Sequence, residues 1–533
     1  MAQKRRVAVR AEVAPEPPVE PKRKRARAVV APEPESGPQP ATPPTPLEPK
    51  PNPFEPYRRL LIKKPVDELV EEGSKRSQLR RTLGPTTLTL LGLGGIIGTG
   101  IFVLTGVAAK DYSGNMIWLS FVVAGFVATL AAFSYAELAS MIPVSGSAYT
   151  YAYAGVGETI AWVIGWDLVL EYAVGAMTVA QGWAGYTTGL LAQGGVEIPY
   201  EWSHGPLQGG YINVLAVLIV LAITALLVYG IQESANVTNV LVVVKVGIIV
   251  FVILLGFLVV QGIEGSGSAG FYLEGHATQG LGGMVTAAGL VFFAYIGFDA
   301  LSTTAEETRN PKRDLPIGIL ASLGISTLLY ILASMTIVRL VPYGQIDETE
   351  PFGAAFEAAG YDWAAAIIRV SAVAGITSVL IVLLLSQPRI FFSMARDGLL
   401  PPFIAKVHPK FQTPWLATIV TGLVVAFVGG LLPIDVLALV TNIGTLFAFL
   451  LVGVSVIILR YAAPDAARGY KVPGPPWLLP GLGAVAAFLL MLALPGLTWL
   501  VFLFWLGVGL VIYASYGYYK SHAAKRISDA APA

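Results

Sequence analysis

Long apolar runs recur along this chain of 533 residues from Thr86 nearly to its C-terminus. Each run is roughly 20 residues long, which is the length that carries an α-helix across a lipid bilayer. Only 13% of the residues are charged, against about 25% in an ordinary soluble domain, so the chain lacks the polar surface that a soluble fold needs. We therefore expect an all-α polytopic membrane protein.

The apolar runs predict twelve transmembrane helices. We place them at residues 86–109, 116–141, 159–191, 213–229, 237–260, 283–304, 317–340, 363–386, 415–429, 435–459, 478–494 and 498–519. Thirteen Lys and Arg residues lie in alternate loops and the C-terminal tail, whereas Lys110 is the one basic residue in the six loops on the opposite side. Because basic loops stay in the cytoplasm, this asymmetry predicts that both termini are cytoplasmic.

Outside the spans, the composition divides the chain into further segments. Residues 1–56 hold 15 of the 37 prolines and no apolar run, so we expect a disordered cytoplasmic tail rather than a secretory signal. Residues 57–85 mix apolar and charged side chains, as a helix that lies on the membrane surface does. The membrane domain covers residues 86–520, and residues 521–533 form a cytoplasmic C-terminal tail.

The N-terminal tail carries a basic cluster at residues 22–25. Such a cluster either touches anionic lipid headgroups or belongs to a solvated tail that blocks translocation. We expect no nucleic-acid partner.

The composition excludes several classes of chemistry. The chain has no cysteine, which removes disulfides and thiolate sites. Its four histidines are far apart and form no HExxH pattern, and neither a phosphate-binding loop nor a G-x-S-x-G elbow occurs. We therefore expect no metal, no cofactor, and neither an enzymatic nor an ATP-driven activity.

The first predicted span is a poor helix, because residues 92–100 contain five glycines, each of which costs about 1 kcal/mol relative to alanine. One interpretation is close helix packing through the GxxxG pair Gly94 and Gly98. The other is an unwound midpoint whose free N–H groups bind a carboxylate. Irregular backbone at this depth is tolerated only where it is buried in protein or lines a cavity.

The sixth predicted span is interrupted as well, at Phe-Phe-Ala-Tyr-Ile-Gly-Phe-Asp, residues 292–299. This span opens the second group of five helices. A break in the first helix of each half points to a transporter site at the interface of inverted repeats. Carbonyls freed at the second break would hold an ammonium group opposite the carboxylate. Two opposed breaks therefore suit a zwitterion, which favours amino acids as substrates.

Charged residues within the spans are further candidates. Lys245 stands in an otherwise apolar span, where a lysine costs about 2.5–3.5 kcal/mol. It either faces the bundle interior and exchanges a proton during transport, or it snorkels to the inner face. Asp167 and Glu171 share one helix face. Glu171, the deeper of the two, is the candidate for lining the substrate path, whereas Asp167 is expected to be a structural partner near the inner interface. Arg369 is expected to snorkel outward.

Several motifs resemble the amino acid–polyamine–organocation superfamily. They are Gly-Ile-Ile-Gly-Thr-Gly-Ile-Phe-Val at 95–103, Ile-Pro-Val-Ser-Gly-Ser-Ala-Tyr at 142–149 and Phe-Ala-Tyr-Ile-Gly-Phe-Asp at 293–299. Residues 80–85, 306–311 and 393–401 are similar to its cationic amino acid transporter branch. The resemblance runs from about Tyr57 to the twelfth span and leaves out the proline-rich tail.

The resemblance implies the LeuT-type fold, in which two inverted five-helix repeats precede two added helices. It also implies residue roles at the two breaks. The substrate carboxylate is bound at Ile96, Thr99 and Gly100, around Gly98, and the ammonium group by the carbonyls of Phe293, Ala294 and Ile296.

Other roles follow from the same resemblance. Lys245 takes the place of a sodium ion in proton-coupled members, Glu171 lies near the pocket, and Leu383 limits the side-chain pocket. A bulky apolar residue at Leu383 fits small neutral substrates such as alanine. Gln387-Pro388 departs from the family pattern, so the end of the eighth span is expected to kink differently.

The resulting hypothesis is a secondary active transporter, not an enzyme, that imports a small neutral amino acid across the cytoplasmic membrane with protons. An amino acid exchanger, or a carrier of cationic amino acids or polyamines, is the alternative. A third alternative is a membrane protein that senses an amino acid without moving it. The sequence leaves open whether a small single-helix subunit joins the transporter.

Overall fold

The computed structural model describes residues 63–69, 71, 81, 83–144, 147–229, 235–258, 279–411 and 413–522. The predicted disordered tail, residues 1–56, lies outside the described residues. So do most of the predicted surface segment 57–85 and residues 523–533 of the C-terminal tail. In the described part of the chain the structure is helical, and its one isolated β-bridge joins Leu83 to Thr308.

We number the α-helices of twelve residues or more in chain order. They are α1 (Pro85–Ile96), α2 (Ile117–Met141), α3 (Glu158–Gln193), α4 (Val214–Tyr229), α5 (Ala235–Leu258), α6 (Gly280–Val291), α7 (Pro311–Leu340), α8 (Asp362–Arg396), α9 (Trp415–Leu431), α10 (Ile434–Ala462), α11 (Leu478–Leu492) and α12 (Gly496–Ile512).

Seven helical stretches of the described chain are long and apolar enough to cross a membrane. They are Gly100–Met141, Glu158–Gln193, Gly280–Glu307, Pro311–Leu340, Asp362–Arg396, Ile434–Ala462 and Gly496–Lys520. Five further apolar helical segments are shorter, at Pro85–Ile96, Val214–Tyr229, Val242–Phe257 within α5, Trp415–Leu431 and Leu478–Leu492. The chain is therefore a multi-pass membrane protein, and the count of twelve crossings stays a prediction.

The helices differ in what they bury. α3 lies at the centre, where Trp162, Tyr172 and Tyr186 are almost completely enclosed. α11 and α12 instead expose large apolar side chains such as Leu489 and Phe504. Helices that are apolar all round are buried in protein or face lipid, so α11 and α12 present a lipid-facing surface around the core.

Contacts between the helices follow a regular pattern. α7 packs along α1 and α2, and α6 also packs on α2, whereas α3 packs on α8, α9 and α10. Three pairs are five helices apart in sequence: α2 with α7, α3 with α8, and α4 with α9. This arrangement surrounds α1 and α6, the two helices that end within the bundle.

The chain before α1 is tied to the chain before α7. Leu83 N donates to the Glu307 carbonyl at 3.1 Å, and Arg309 N donates to the Leu83 carbonyl at 2.9 Å. Pro85 and Pro311 then start α1 and α7 at the position where a missing N–H is not needed. These bonds hold the start of α1 beside the end of the chain that follows α6.

Candidate substrate site

α1 ends inside the bundle, as the glycine-rich sequence predicts. Its last residue is Ile96, and Ile97 adopts an extended conformation (φ −75°, ψ 108°). Helical turns resume beyond Gly98 and are π-helical from Gly100 to Leu104. The first break therefore lies at Ile97 and Gly98.

The second break follows α6. A 3₁₀ turn covers Phe292–Tyr295, and Ile296 is extended (φ −63°, ψ 140°). Gly297 has φ +115°, a left-handed conformation that favours glycine because a Cβ would be strained there. A 3₁₀ helix then runs over Asp299–Glu307. The predicted interruption is therefore present in the sixth span as well.

The two breaks touch each other, and glycines make the approach possible. A Cβ added at Gly100 would collide with Ala294, and one added at Gly297 would lie 2.7 Å from the Gly95 carbonyl oxygen. The packing interpretation of the GxxxG pair also holds, since a Cβ at Gly94 would meet Val242 at 2.7 Å. The glycines of α1 thus serve both the break and the packing.

Side chains from other helices bind the carbonyls of the first break. Lys245 of α5 donates from Nζ to the Gly94 oxygen at 2.8 Å and to the Ile97 oxygen at 3.1 Å. Tyr330 of α7 donates to the Ile96 oxygen at 3.0 Å. Lys245 is 0% exposed, so the alternative in which it snorkels to the inner face is wrong.

The second break is held by Asp299, which comes two residues after Gly297. One oxygen, Oδ1, accepts from Gly297 N at 3.1 Å, and Oδ2 accepts from the Tyr172 hydroxyl of α3 at 3.0 Å. Neither Asp299 nor Tyr172 was among the predicted site residues. An acid two residues beyond the glycine of a break was the available signal for Asp299.

A small cavity lies between the breaks, α3 and α8. Its volume is about 20 Å³, which is room for about one or two waters. Seven predicted residues line it: Ile96, Gly98, Thr99, Gly100, Phe293, Ile296 and Leu383. Its other walls are Gly95, Tyr172, Gly297, Ala300, Val379 and Val382. The site is contracted, and a molecule of more than a few atoms would need it to widen.

Three predicted residues stand behind the walls of this cavity. Ala294 packs directly against Gly100. Lys245 binds the backbone carbonyls of the first break. Glu171 is buried beside Thr445 of α10 and interacts electrostatically with Asp299. Its neighbour Tyr172 reaches the cavity instead.

Asp167 is not the structural partner that the sequence allowed. Its side chain is completely buried, and within the described residues neither carboxylate oxygen has a hydrogen-bond partner. It packs against Gly444 of α10, where an added Cβ would lie 2.8 Å from Oδ1.

Arg369 does not snorkel outward. It is 3% exposed and forms ion pairs with Glu350 and Glu357 of the loop between α7 and α8, at 2.6 Å to Glu350. Burial raises the pKa of Glu350, and the Arg369 guanidinium opposes this shift. The sequence missed the pairing because the acids lie on a separate loop.

A second cavity of about 110 Å³ lies beyond the first along α3. Most of its lining residues carry polar side chains, among them Gln181, Thr188, His204, Asn213 and Glu348. Gln181 and Asn213 bind each other at 2.7 Å. Between the two cavities, Gly182 packs against Thr99 and Val103. About one helical turn of packing therefore separates the two cavities.

A family model described as amino acid permease matches residues 83–522. The chain belongs to this amino acid permease family. Its relatives place it in the amino acid–polyamine–organocation superfamily, in the branch of the cationic amino acid transporters. It is a membrane transporter rather than an enzyme.

Several family members are similar over most of the chain. The branched-chain amino acid permease BcaP of Bacillus subtilis is 44% identical over 85% of this chain and 97% of its own length. The methylthioribose transporter of the same organism is 41% identical over 86% of this chain and 97% of its own. A vacuolar cationic amino acid transporter 2 of Arabidopsis thaliana is 40% identical over 77% of this chain and 64% of its own.

Proposed function

We propose that the protein imports a neutral amino acid across the cytoplasmic membrane, driven by protons. The observation that carries this proposal is the contact of two helix breaks around a cavity, with a buried lysine bound to the backbone of one of them. Freed backbone groups at apposed breaks recognise the charged ends of a small zwitterion. Membership of the amino acid permease family supports the substrate class.

The substrate lies between the breaks in this proposal. Its carboxylate is held on the α1 side, at Ile96, Gly98, Thr99 and Gly100. Its ammonium group takes carbonyls on the α6 side, at Phe293, Ala294 and Ile296. The Phe293 carbonyl accepts from Ile296 N at 3.2 Å in the contracted site, and it exchanges this bond for the ammonium group when the site widens.

Lys245 couples the site to protons. As an ammonium it holds the Gly94 and Ile97 carbonyls, and as a neutral amine it binds two carbonyls less firmly, because charged donors make the stronger hydrogen bonds. Loss of its proton therefore loosens the first break. Glu171 lies behind the cavity and interacts electrostatically with Asp299 of the second break.

The α8 wall of the cavity indicates an apolar substrate side chain. Val379, Val382 and Leu383 form it, and none of these residues pairs with a cation. This favours small neutral amino acids, up to branched-chain size as in the name of the BcaP relative. Cationic amino acids, polyamines and the sugar-like substrate named for the methylthioribose relative are less well matched to this wall.

The framework in this proposal is a LeuT-type fold of twelve spans with both termini in the cytoplasm. Pairing of helices five apart in sequence, as in α2 with α7 and α3 with α8, supports two five-helix repeats. The basic N-terminal tail touches anionic lipid on the same side in this proposal.

Uptake into proteoliposomes tests the proposal. We expect labelled alanine or isoleucine to accumulate when the outside is acidified, and to stop doing so when a protonophore collapses the gradient. Counterflow against a panel of unlabelled amino acids then identifies the substrate. Uptake that requires internal amino acid but no proton gradient would make the protein an exchanger. Binding without any uptake would make it a sensor, and deletion of residues 1–56 would then abolish its function.

A further inference from the structure

Among the described acids, Asp167 is the one whose two carboxylate oxygens are both buried without a hydrogen-bond partner, whereas Glu171 lacks a partner at Oε1 alone. Glu137 accepts hydrogen bonds from Arg460 and Val472 N, and Glu158 accepts them from Tyr153, Tyr513 and Ser521. Asp167 is just as deeply buried, yet neither of its oxygens has a partner within the described residues. Buried carboxylates are normally paired or hydrogen-bonded, so an unpartnered one inside a membrane domain points to a function.

The position of Asp167 connects it to the candidate substrate site. It lies one turn before Glu171 on the same face of α3, a rise of about 6 Å along the helix. Glu171 interacts electrostatically with both Asp167 and Asp299, and Asp299 holds the second break. The three acids form a row that leads from the break toward the first residues of α3, at its predicted cytoplasmic end.

The surroundings of Asp167 disfavour a negative charge. Glu171 on its own helix and Asp299 beyond α6 are acids, and Tyr135 of α2 faces the same row. From α10 it meets Gly444. α8, α12 and the helix Ser147–Gly155 also pack on α3, but among the described residues no Lys, Arg or His pairs with Asp167. Burial without a compensating partner therefore disfavours the ionised form of the Asp167 carboxyl.

We propose that Asp167 is a second proton-binding site, which passes the transported proton between Glu171 and the cytoplasm. This rests on the proton coupling proposed above. In the step, the proton leaves the Glu171 carboxyl and binds the Asp167 carboxylate, so Glu171 becomes ionised and Asp167 neutral. The proton leaves Asp167 when the packing against Gly444 opens toward the cytoplasm and water reaches the carboxylate.

The matched variant Asp167→Asn keeps the size and shape of the side chain but cannot carry the proton. We expect its pH-driven accumulation of substrate to fall at least tenfold, while counterflow exchange and substrate binding stay within twofold of the unchanged protein. Thr421→Val is the control, since the Thr421 hydroxyl is also buried without a partner but lies on α9. It should retain full accumulation.

A structural role for Asp167 would instead lower exchange, binding and accumulation together, and that result would overturn the proposal. Unchanged accumulation in Asp167→Asn would overturn it as well. If Asp167→Asn does not fold, Asp167→Ser provides the same comparison with a smaller polar side chain. Failure of the unchanged protein to accumulate substrate under a pH gradient would refute the proposed proton coupling instead.

Infrared spectroscopy of the detergent-solubilised protein tests directly whether the Asp167 carboxyl is protonated. We expect a C=O stretching band of a protonated carboxyl at neutral pH that is missing in Asp167→Asn and present in Thr421→Val. Identical spectra of Asp167→Asn and the unchanged protein would show that Asp167 is ionised, and would overturn the proposal even if transport were impaired.

Discussion

The two helix breaks have the same predicted task but are built differently. The first break is held from outside, because Lys245 of α5 and Tyr330 of α7 bind its carbonyls. The second break is stabilised mainly by its own residues. Gly297 supplies the positive φ, and its N–H donates a hydrogen bond to the Asp299 carboxylate. Only the first depends on a cation, so a proton gained or lost at Lys245 acts on one break and not on the other.

The free energies at Lys245 support this difference between the two breaks. A lysine at mid-membrane costs about 2.5–3.5 kcal/mol, and a hydrogen bond to a charged group returns about 1.5–3 kcal/mol. The two bonds of Lys245 to Gly94 and Ile97 therefore offset its burial only while both are formed. Because the cost of burying Lys245 and the gain from its hydrogen bonds are similar, loss of its proton changes the stability of the first break. The backbone conformation of Gly297 does not depend on a proton.

The largest effect is expected where the second break cannot tolerate a side chain. Gly297→Val forces a left-handed conformation, which costs about 1–3 kcal/mol, and places a Cβ 2.7 Å from the Gly95 oxygen. We expect no detectable substrate binding and a lower Tm in a thermal-shift assay. Gly247→Ala is the control, because nothing lies within 4 Å of its added Cβ. Normal binding by Gly297→Val would mean that the breaks need not touch.

Next in size is the loss of the cation at the first break. Lys245→Met should reduce pH-driven accumulation at least tenfold and leave exchange measurable, because the break remains but no longer responds to a proton. Arg339→Met, at the end of α7 over the Phe257 ring, removes a cation elsewhere and should keep coupling. Full accumulation in Lys245→Met would remove Lys245 from the mechanism.

A smaller effect is expected at Asp299. Asp299→Ala removes the acceptor of Gly297 N and should weaken substrate binding about tenfold, since a buried donor left unsatisfied costs about 1–3 kcal/mol. Asp299→Asn keeps an oxygen at that position and should bind within about threefold of the unchanged protein in isothermal titration. If Asp299→Asn binds as poorly as Asp299→Ala, the second break depends on charge after all.

The smallest effect is expected from Tyr330→Phe. It removes one neutral hydrogen bond to the Ile96 carbonyl, worth about 1 kcal/mol, and should weaken substrate binding roughly fivefold while coupling persists. The ratio of accumulation to exchange checks this. A change in that ratio like the one expected for Lys245→Met would show that the carbonyl bonds, rather than the charge, set the response.

Much of the architecture could be predicted from the local sequence. Apolar runs located the helices, and the glycines of residues 92–100 with the Ile-Gly-Phe-Asp run located both breaks, because helix formation and its interruption depend on neighbouring residues. Seven of the predicted site residues line one cavity. These features need no knowledge of which helix packs on which.

Long-range pairings were not predictable in the same way. Lys245 binds carbonyls about 150 residues earlier in the chain, and Tyr172 reaches Asp299 across 127 positions. Arg369 was expected at the surface because its acidic partners are on a loop whose position depends on the whole fold. Likewise, the absence of a partner for Asp167 within the described residues is a property of packing, which spacing along α3 does not reveal.

A cryo-EM map of the protein with saturating isoleucine tests the central claim most directly. We expect density for the amino acid between Gly98–Gly100 and Phe293–Ile296, with its carboxylate toward α1 and the two breaks moved apart. Density in the polar cavity near Gln181 and Glu348, with Gly95 still against Gly297 and Gly100 against Ala294, would contradict it.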